Sequence, residues 1–399
     1  MRTGLDRLAT HSKLGAELRA ARVGLLAHAA SVDRRMVHAR RVLDALGARV
    51  VLVFGPEHGY GGEAQDMVGV ADARDAFDTP VRSLYGERFE DLSPKPEELD
   101  AIDLLVIDLQ DVGARYYTFV WTAVLAMRAC AHAGVGVLVL DRPNPLGGDA
   151  QRIEGRRQAR EHCSFVGLEP IPVRHALTLG EIVAWRAEAE GVPQELVRVL
   201  GVRGLERDRH ATAWDRPFVM PSPNMPSYET ALVYPGGCLI EGTNLSEGRG
   251  TTRPFEMVGA PWIDGVRLAD DLHSVSLPGM RARPITFRPT FHKHAGLACG
   301  GVQVHVTDAV SFRPLATYLA LVALAYAQDP DRFAFRTDKY EFRDDVPAFD
   351  LLAGSAEARA RILRGDRAID VAAATAATDD VDRAIVRDAI EAGAGRGVA

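Results

Sequence analysis

Cysteine is scarce and scattered. The 399 residues contain four, Cys130, Cys163, Cys238 and Cys299, and no C-x-x-C pair. That spacing speaks against a zinc knuckle or a dithiol redox motif and predicts free, mostly buried thiols. No G-x-G-x-x-G follows the first predicted strand and no G-x-x-x-x-G-K-[ST] occurs, so neither a dinucleotide site nor a P-loop is supported. H-x-x-x-H, H-E-x-x-H and G-x-S-x-G are also missing, which removes the usual signals for a metal centre and for a nucleophilic serine. A resident metal or cofactor is therefore not expected. The net charge is -7 with no basic block, so there is no electrostatic footprint for nucleic acid. Long apolar runs are lacking too: the longest helical one, 315–327, falls short of the roughly 20 residues needed to span a bilayer. The first fifteen residues hold no apolar signal region, so the sequence as written reads as cytoplasmic; a missing N-terminal segment would make the protein secreted or periplasmic.

What is present is an ordinary globular composition, 47% hydrophobic and 25% charged, in a chain longer than one core usually serves. Two domains are expected. Short apolar runs at 23–26, 49–54, 102–108 and 135–141 alternate with helical stretches at 36–46 and 119–133. That rhythm predicts a doubly wound parallel α/β sheet with right-handed crossovers over 1–152. The charged, irregular stretch 152–162 marks the expected boundary, followed by an α+β domain over 153–399. There, Thr178 and Glu181 form a capping-box pattern opening a helix to Ala189, with a strand at 301–306, helices at 315–327 and 357–363, and a tail at 392–399 expected to fray.

Ligands of such sheets sit beyond the carboxyl ends of the strands. Three of the four ends here are rich in chemistry. Glu57 and His58 follow the second run between Pro56 and Gly59, a placement that exposes both at the sheet rim. A carboxyl partly desolvated there is a candidate general acid; a loop salt bridge is the alternative. Asp111, with Arg115, Tyr116 and Tyr117, follows the third run and could orient a hydroxyl or water, while Arg115 could form a buried ion pair with Asp108. Asn144 lies in a proline-shaped loop after the fourth. Further along, Arg174 and His175 follow an apolar stretch, and Lys293 and His294 follow Phe291. The segment 241–253 has the inventory of a ligand-gripping loop: Glu241, Asn244, Glu247, Arg249, Thr251, Thr252 and Arg253 spaced by glycines that let a bound group approach. A well-capped surface turn is the competing reading.

Six segments, PEHGYGG, DLQDVGARYYTF, LDRPNPLGG, SFVGLEPIPVRHALTLGE, PSPNMPSYETALVYPGGCLIEGTNLSEGRGTTRPFEMVGAPW and FHKHAGLACGGVQVHVTD, closely resemble the NamZ-type exo-β-N-acetylmuramidases of bacterial peptidoglycan recycling. The resemblance spans roughly residues 4–365. It implies a Rossmann-like domain, a C-terminal auxiliary domain and a site in the cleft between them. It also implies release of N-acetylmuramic acid (MurNAc) from the non-reducing end of β-1,4-linked MurNAc-GlcNAc fragments, a small-molecule substrate with no membrane insertion. The family's proposed catalytic glutamate falls on Glu57. The second catalytic group stays open among Asp111, His58, Glu241, Glu247 and the substrate's own N-acetyl group. Arg249 and Arg253 are candidates for the lactyl carboxylate. Asn224, in the long motif, joins Arg115, Tyr116, Asn144, Arg174, His175 and His294 as candidate substrate contacts. The chain departs from the family pattern at His28-Ala29-Ala30 and at Gly61, which keeps two alternatives in view: a non-catalytic amino-sugar binding protein, or a glycosidase of shifted specificity.

Overall fold

The computed structural model describes residues 1–398. Seven strands form one sheet in the order β3-β4-β2-β1-β5-β6-β7. They are β1 (Arg22–Ala27), β2 (Arg49–Gly55), β3 (Ala73–Arg74), β4 (Pro80–Ser83), β5 (Leu104–Asp108), β6 (Gly136–Leu140) and β7 (Val197–Leu200). All neighbours pair in parallel except β3 with β4. Strands such as LLVID and GVLVL are apolar nearly throughout because both faces are covered. Alternate residues go to opposite sides: Leu104 and Val106 join one core cluster, Leu105 and Ile107 the other. The chain builds β2 and β4 on one side of β1, then returns to place β5 on the other. The crevice of this topology therefore opens beyond the carboxyl ends of β1 and β5.

The seventh strand lies well past residue 152, so the division expected there does not coincide with the edge of the sheet. The stretch around 152 has the composition of a linker, charged and irregular. In the structure it is tied down: Glu154 accepts hydrogen bonds from the backbone of Leu315 and Ala316, and its own N–H donates to the Arg174 carbonyl. The second half carries an antiparallel sheet, β8 (Met257–Ala260), β9 (Met280–Phe287) and β10 (Cys299–Val306), in the order β8-β10-β9. Its apolar helix is Pro314–Gln328. The capping box at Thr178 is present and opens the helix Leu179–Ala189. Of the tail expected to fray, residues 392–398 are held in place, and residue 399 lies outside the described residues. The Arg396 carbonyl accepts from Val199 N–H, and Val398 N–H donates back to the Val199 carbonyl, so the chain end lies along β7. Among the described residues, no helix is long and apolar enough to cross a membrane.

His28, at the end of β1, shows how the crevice is braced. Its ring is fully buried; Nε2 accepts from Gln110 N–H at 3.0 Å and Nδ1 donates to the Pro221 carbonyl at 3.1 Å. Burial, and secondarily the charge of Arg142, pushes this imidazole down to about 3. An unfolded histidine titrates near 6.5. Below that pH the unfolded chain takes up a proton that the folded chain refuses, so stability is lost as pH falls from about 6.5 toward 3. Urea midpoints measured between about pH 6 and pH 4 should therefore fall less steeply for His28→Gln than for the parent. Parallel slopes would refute that assignment.

Candidate active site

Glu57 leaves β2 through a tight turn in which Gly59 N–H bonds the Pro56 carbonyl at 2.9 Å. His58 takes a left-handed backbone (φ 69°) in that turn, uncommon for a non-glycine residue, and its Nδ1 lies 2.9 Å from the Ala64 carbonyl. The turn aims the Glu57 carboxyl at the helix Phe119–Ala133. There Thr118, the residue before the first turn, donates its hydroxyl to Glu57 Oε2 at 2.6 Å instead of capping its own helix. The carboxyl thus lies beside a helix N-terminus, where the aligned peptide dipoles favour negative charge. Met67 N–H reaches the other oxygen, Oε1, at 3.4 Å.

Glu57 is one wall of a narrow cavity of about 40 Å³ between the two halves of the chain. The first half contributes Glu57, His58, Asp66, Tyr116, Tyr117 and Thr118; Ser222, Asn224 and Met225 follow, and Tyr234, Glu241, Arg249, Phe255, Tyr340 and Glu341 close it from the second half. Arg249 is the cavity's fixed cation. Its guanidinium lies 3.1 Å from Asp66, 2.7 Å from Glu241 and 3.2 Å from Glu247. Glu247 is fully buried, yet Lys293, His292 and Arg249 overcome the effect of that burial and hold it well below the usual carboxylate range. The charge it carries in turn raises His292.

Glu341 faces a different environment. It is buried, and burial together with the negative charge of Glu57 raises its carboxyl well above the usual range. Among the described residues its oxygens accept only from the Tyr85 hydroxyl, at 3.1 and 3.3 Å. Glu341 and Phe342 both have left-handed backbones, φ 43° and 67°. Such residues cost roughly 1–3 kcal/mol each and persist only where their surroundings over-determine them. Here Phe342 packs edge-on against Tyr85, Phe89 and Phe165. The pocket thus joins a hydrogen-bonded carboxyl at a helix N-terminus to a carboxyl, on a strained turn, that burial and a neighbouring negative charge raise above the usual range. Burial also raises the Tyr117 hydroxyl, in the same wall, well above its ordinary range, so it stays protonated.

The family model described as "Exo-beta-N-acetylmuramidase NamZ, N-terminal" matches residues 23–229, and its C-terminal counterpart matches 232–380. The chain belongs to this NamZ family. A curated Bacillus subtilis relative, the peptidoglycan beta-N-acetylmuramidase NamZ, is 39% identical over 368 residues, 92% of this chain and 85% of the relative. Crystal structures of two DUF1343 family proteins from Bacteroides fragilis superpose closely. One is 30% identical with a TM-score of 0.84, covering 98% of this chain and 97% of its own; the other is 25% identical with a TM-score of 0.73, covering 100% and 98%. The two family models meet near residue 230, which groups β7 with the NamZ N-terminal unit.

Of the residues singled out in the sequence, Glu57, His58, Tyr116, Tyr117, Asn224, Glu241 and Arg249 line the cavity. The others do not, and their hydrogen bonds say why. Asp111 accepts from Gly113 N–H at 2.7 Å and lies 3.4 Å from His175 Nε2. Asp108 pairs with Arg142, at 2.8 Å, and not with Arg115. Arg115 is spent on the carbonyls of Arg156, Ile171 and Leu352, and so fastens three segments. Arg174 donates to the Leu146 carbonyl, His175 Nδ1 accepts from Leu177 N–H, and Asn144 ties the Leu177 carbonyl to Leu146 N–H. Asn244 braces Arg332 and Ala334, and His294 bonds the Asn244 carbonyl.

The 241–253 loop is likewise less of an open grip than its composition implied. Glycines 248 and 250 serve the protein's own backbone: a Cβ at Gly248 would lie 2.7 Å from the Met257 carbonyl oxygen, and one at Gly250 2.7 Å from Thr290 N and Phe291 N. Glu247 is sealed in the ion network, the Thr251 hydroxyl folds back on the Gly248 carbonyl, and Thr252 is exposed. Arg253 lies half-exposed beside Glu256, in a separate surface groove with Tyr228 and Gln303. Asp66, Thr118, Ser222, Tyr340 and Glu341 join the site without having stood out in the sequence. Only Asp66 had a signal, as an acid in a glycine-rich loop following the PEHG turn.

Proposed function

We propose that this chain releases N-acetylmuramic acid from the non-reducing end of β-1,4-linked MurNAc-GlcNAc fragments, using Glu57 and Glu341 as its two carboxyl groups. The observation that carries this reading is the meeting of those two groups in one interdomain pocket beside a buried arginine. Membership of the NamZ family and the named activity of the Bacillus subtilis relative support it. Glycoside hydrolysis needs a proton donor for the leaving oxygen and a second carboxyl at the anomeric carbon. A buried carboxyl whose protonated form is favoured is the natural donor. Glu341 retains its proton and is the donor; Glu57 faces the anomeric carbon. The general-acid role expected of Glu57 thus passes to its neighbour. As the glycosidic bond breaks, the GlcNAc oxygen leaves with the Glu341 proton. Water supplies the hydroxyl of the released sugar, and the water's remaining proton restores the acid pair. Arg249 is the cation available to the lactyl carboxylate that distinguishes MurNAc from GlcNAc.

Matched chromogenic β-glycosides of MurNAc and GlcNAc test the proposal. The MurNAc compound should be cleaved at least about tenfold faster by kcat/KM, the order of one charge pair. Equal rates would point instead to a glycosidase of shifted specificity. Binding of MurNAc without turnover would leave only a binding protein.

A further inference from the structure

Gln65, Asp66 and Met67 are consecutive, and each engages one group of the pocket. Asn224 Nδ2 donates to Gln65 Oε1 at 2.7 Å, Arg249 lies 3.1 Å from the Asp66 carboxylate, and Met67 N–H reaches Glu57 at 3.4 Å. The three residues belong to a loop that carries no helix or strand between Gly55 and Ala73 and includes glycines at 59, 61, 62 and 69. Its outer residues, Met67 and Val68, are apolar and exposed. With the loop in place the cavity measures about 40 Å³, room for a few water molecules. Pockets that enclose a small ligand run to roughly 300 Å³ or more. A hexosamine ring does not fit a cavity of this size, and Asp66 is the lining residue carried on a loop without helix or strand.

The three carboxylates on Arg249 are not equally committed. Glu241 also accepts from the Tyr340 hydroxyl at 2.7 Å, and Glu247 also pairs with His292 at 2.9 Å and Lys293 at 2.8 Å. Asp66 makes no other hydrogen bond or ion pair among the described residues. It also arrives on the loop, whereas Glu241 and Glu247 both precede Arg249 closely in the chain. Burial raises Asp66 above the usual carboxylate range even with Arg249 beside it, because Glu241 and Glu247 lie close as well. Of the three, Asp66 is the partner that can be exchanged.

We propose that Asp66 is a resident stand-in for the carboxylate of an acidic sugar: residues 65–67 occupy the sugar subsite of the empty enzyme, and the incoming carboxylate replaces Asp66 on Arg249 as the loop is displaced. The proposal rests on the reading that the substrate is an N-acetylmuramyl sugar. An anionic sugar restores the ion pair that loop opening breaks. A neutral sugar leaves Arg249 with one carboxylate fewer, so the exposed Arg249 selects for acidic ligands while the loop taxes both equally.

Titration calorimetry with free MurNAc and free GlcNAc tests this without requiring turnover. Asp66→Asn keeps the shape and removes the charge; Asp66→Ala removes both. Each should bind MurNAc about fivefold or more tightly than the parent, because the fraction of open, competent protein rises. The MurNAc-to-GlcNAc affinity ratio of the parent should exceed about tenfold, the order of one charge pair. Unchanged MurNAc affinity in both variants would overturn the proposal. So would a gain in Asp66→Ala with none in the isosteric Asp66→Asn, which would make the loop a steric lid with no exchange of carboxylates; GlcNAc affinity should rise in step with that of MurNAc, because opening is common to both. Cleavage of the MurNAc glycoside with no gain in binding would reject the stand-in alone; the expected gain without cleavage would reject the proposed reaction alone.

Discussion

Glu57→Gln is expected to lower turnover of a MurNAc-GlcNAc disaccharide by about a thousandfold or more, while leaving the thermal unfolding midpoint nearly unchanged. The two expectations come from the same geometry. Glu57 accepts a hydroxyl hydrogen bond from Thr118 and an N–H bond from Met67. A glutamine can satisfy both partners: its carbonyl accepts from Met67 N–H, and its amide donates to the Thr118 oxygen once that hydroxyl rotates. No buried polar group is orphaned, so the loss of roughly 1–3 kcal/mol that usually follows removal of one partner is avoided. Only the carboxyl chemistry is lost. Calorimetric melting beside single-turnover kinetics separates the two effects. Activity within about tenfold of the parent would remove Glu57 from the reaction.

Glu341→Gln should divide substrates by their leaving groups. A proton donor matters most when the departing oxygen is a poor leaving group. The variant should lose about 10²–10⁴ in kcat on MurNAc-GlcNAc and far less on a MurNAc glycoside of an acidic phenol. Glu57→Gln should lose activity on both. The pH profile gives a second readout. The Glu341 carboxyl is raised by burial and by the Glu57 charge, so the active, protonated form is present below its pKa and is lost as pH rises through it. The alkaline limb of kcat/KM should therefore belong to Glu341 and flatten in the glutamine variant. The opposite pattern, with Glu57→Gln rescued by the better leaving group, would return the donor role to Glu57.

Much of the sheet is legible in the chain, because parallel strands buried on both faces have to be apolar throughout, and the runs at 102–108 and 135–141 are too short to be buried helices. The strand Val197–Leu200 is hidden: four residues, VRVL, with an arginine among them, carry too little pattern to declare themselves. Glu57 is legible from Pro-Glu-His-Gly at a strand end, since ligands of such sheets sit beyond the carboxyl ends of the strands. Arg115 and Arg174 mislead for an instructive reason. Composition does not distinguish an arginine that meets a ligand from one whose five donors are used by buried carbonyls, and loop backbone far away in sequence decides which it is. Glu341 leaves no trace in the sequence. KYEFRDD reads as a solvated surface stretch, and its function depends on a left-handed pair and on Phe342 packing against rings contributed by residues 85, 89 and 165.

The wild-type protein given a peptidoglycan glycan chain with MurNAc at its non-reducing end, followed by mass spectrometry over time, tests the central claim most directly. Free N-acetylmuramic acid should appear first and as the sole early product, leaving chains shortened by one residue and ending in GlcNAc. Internal fragments in the earliest samples, or release of GlcNAc before MurNAc, would contradict it.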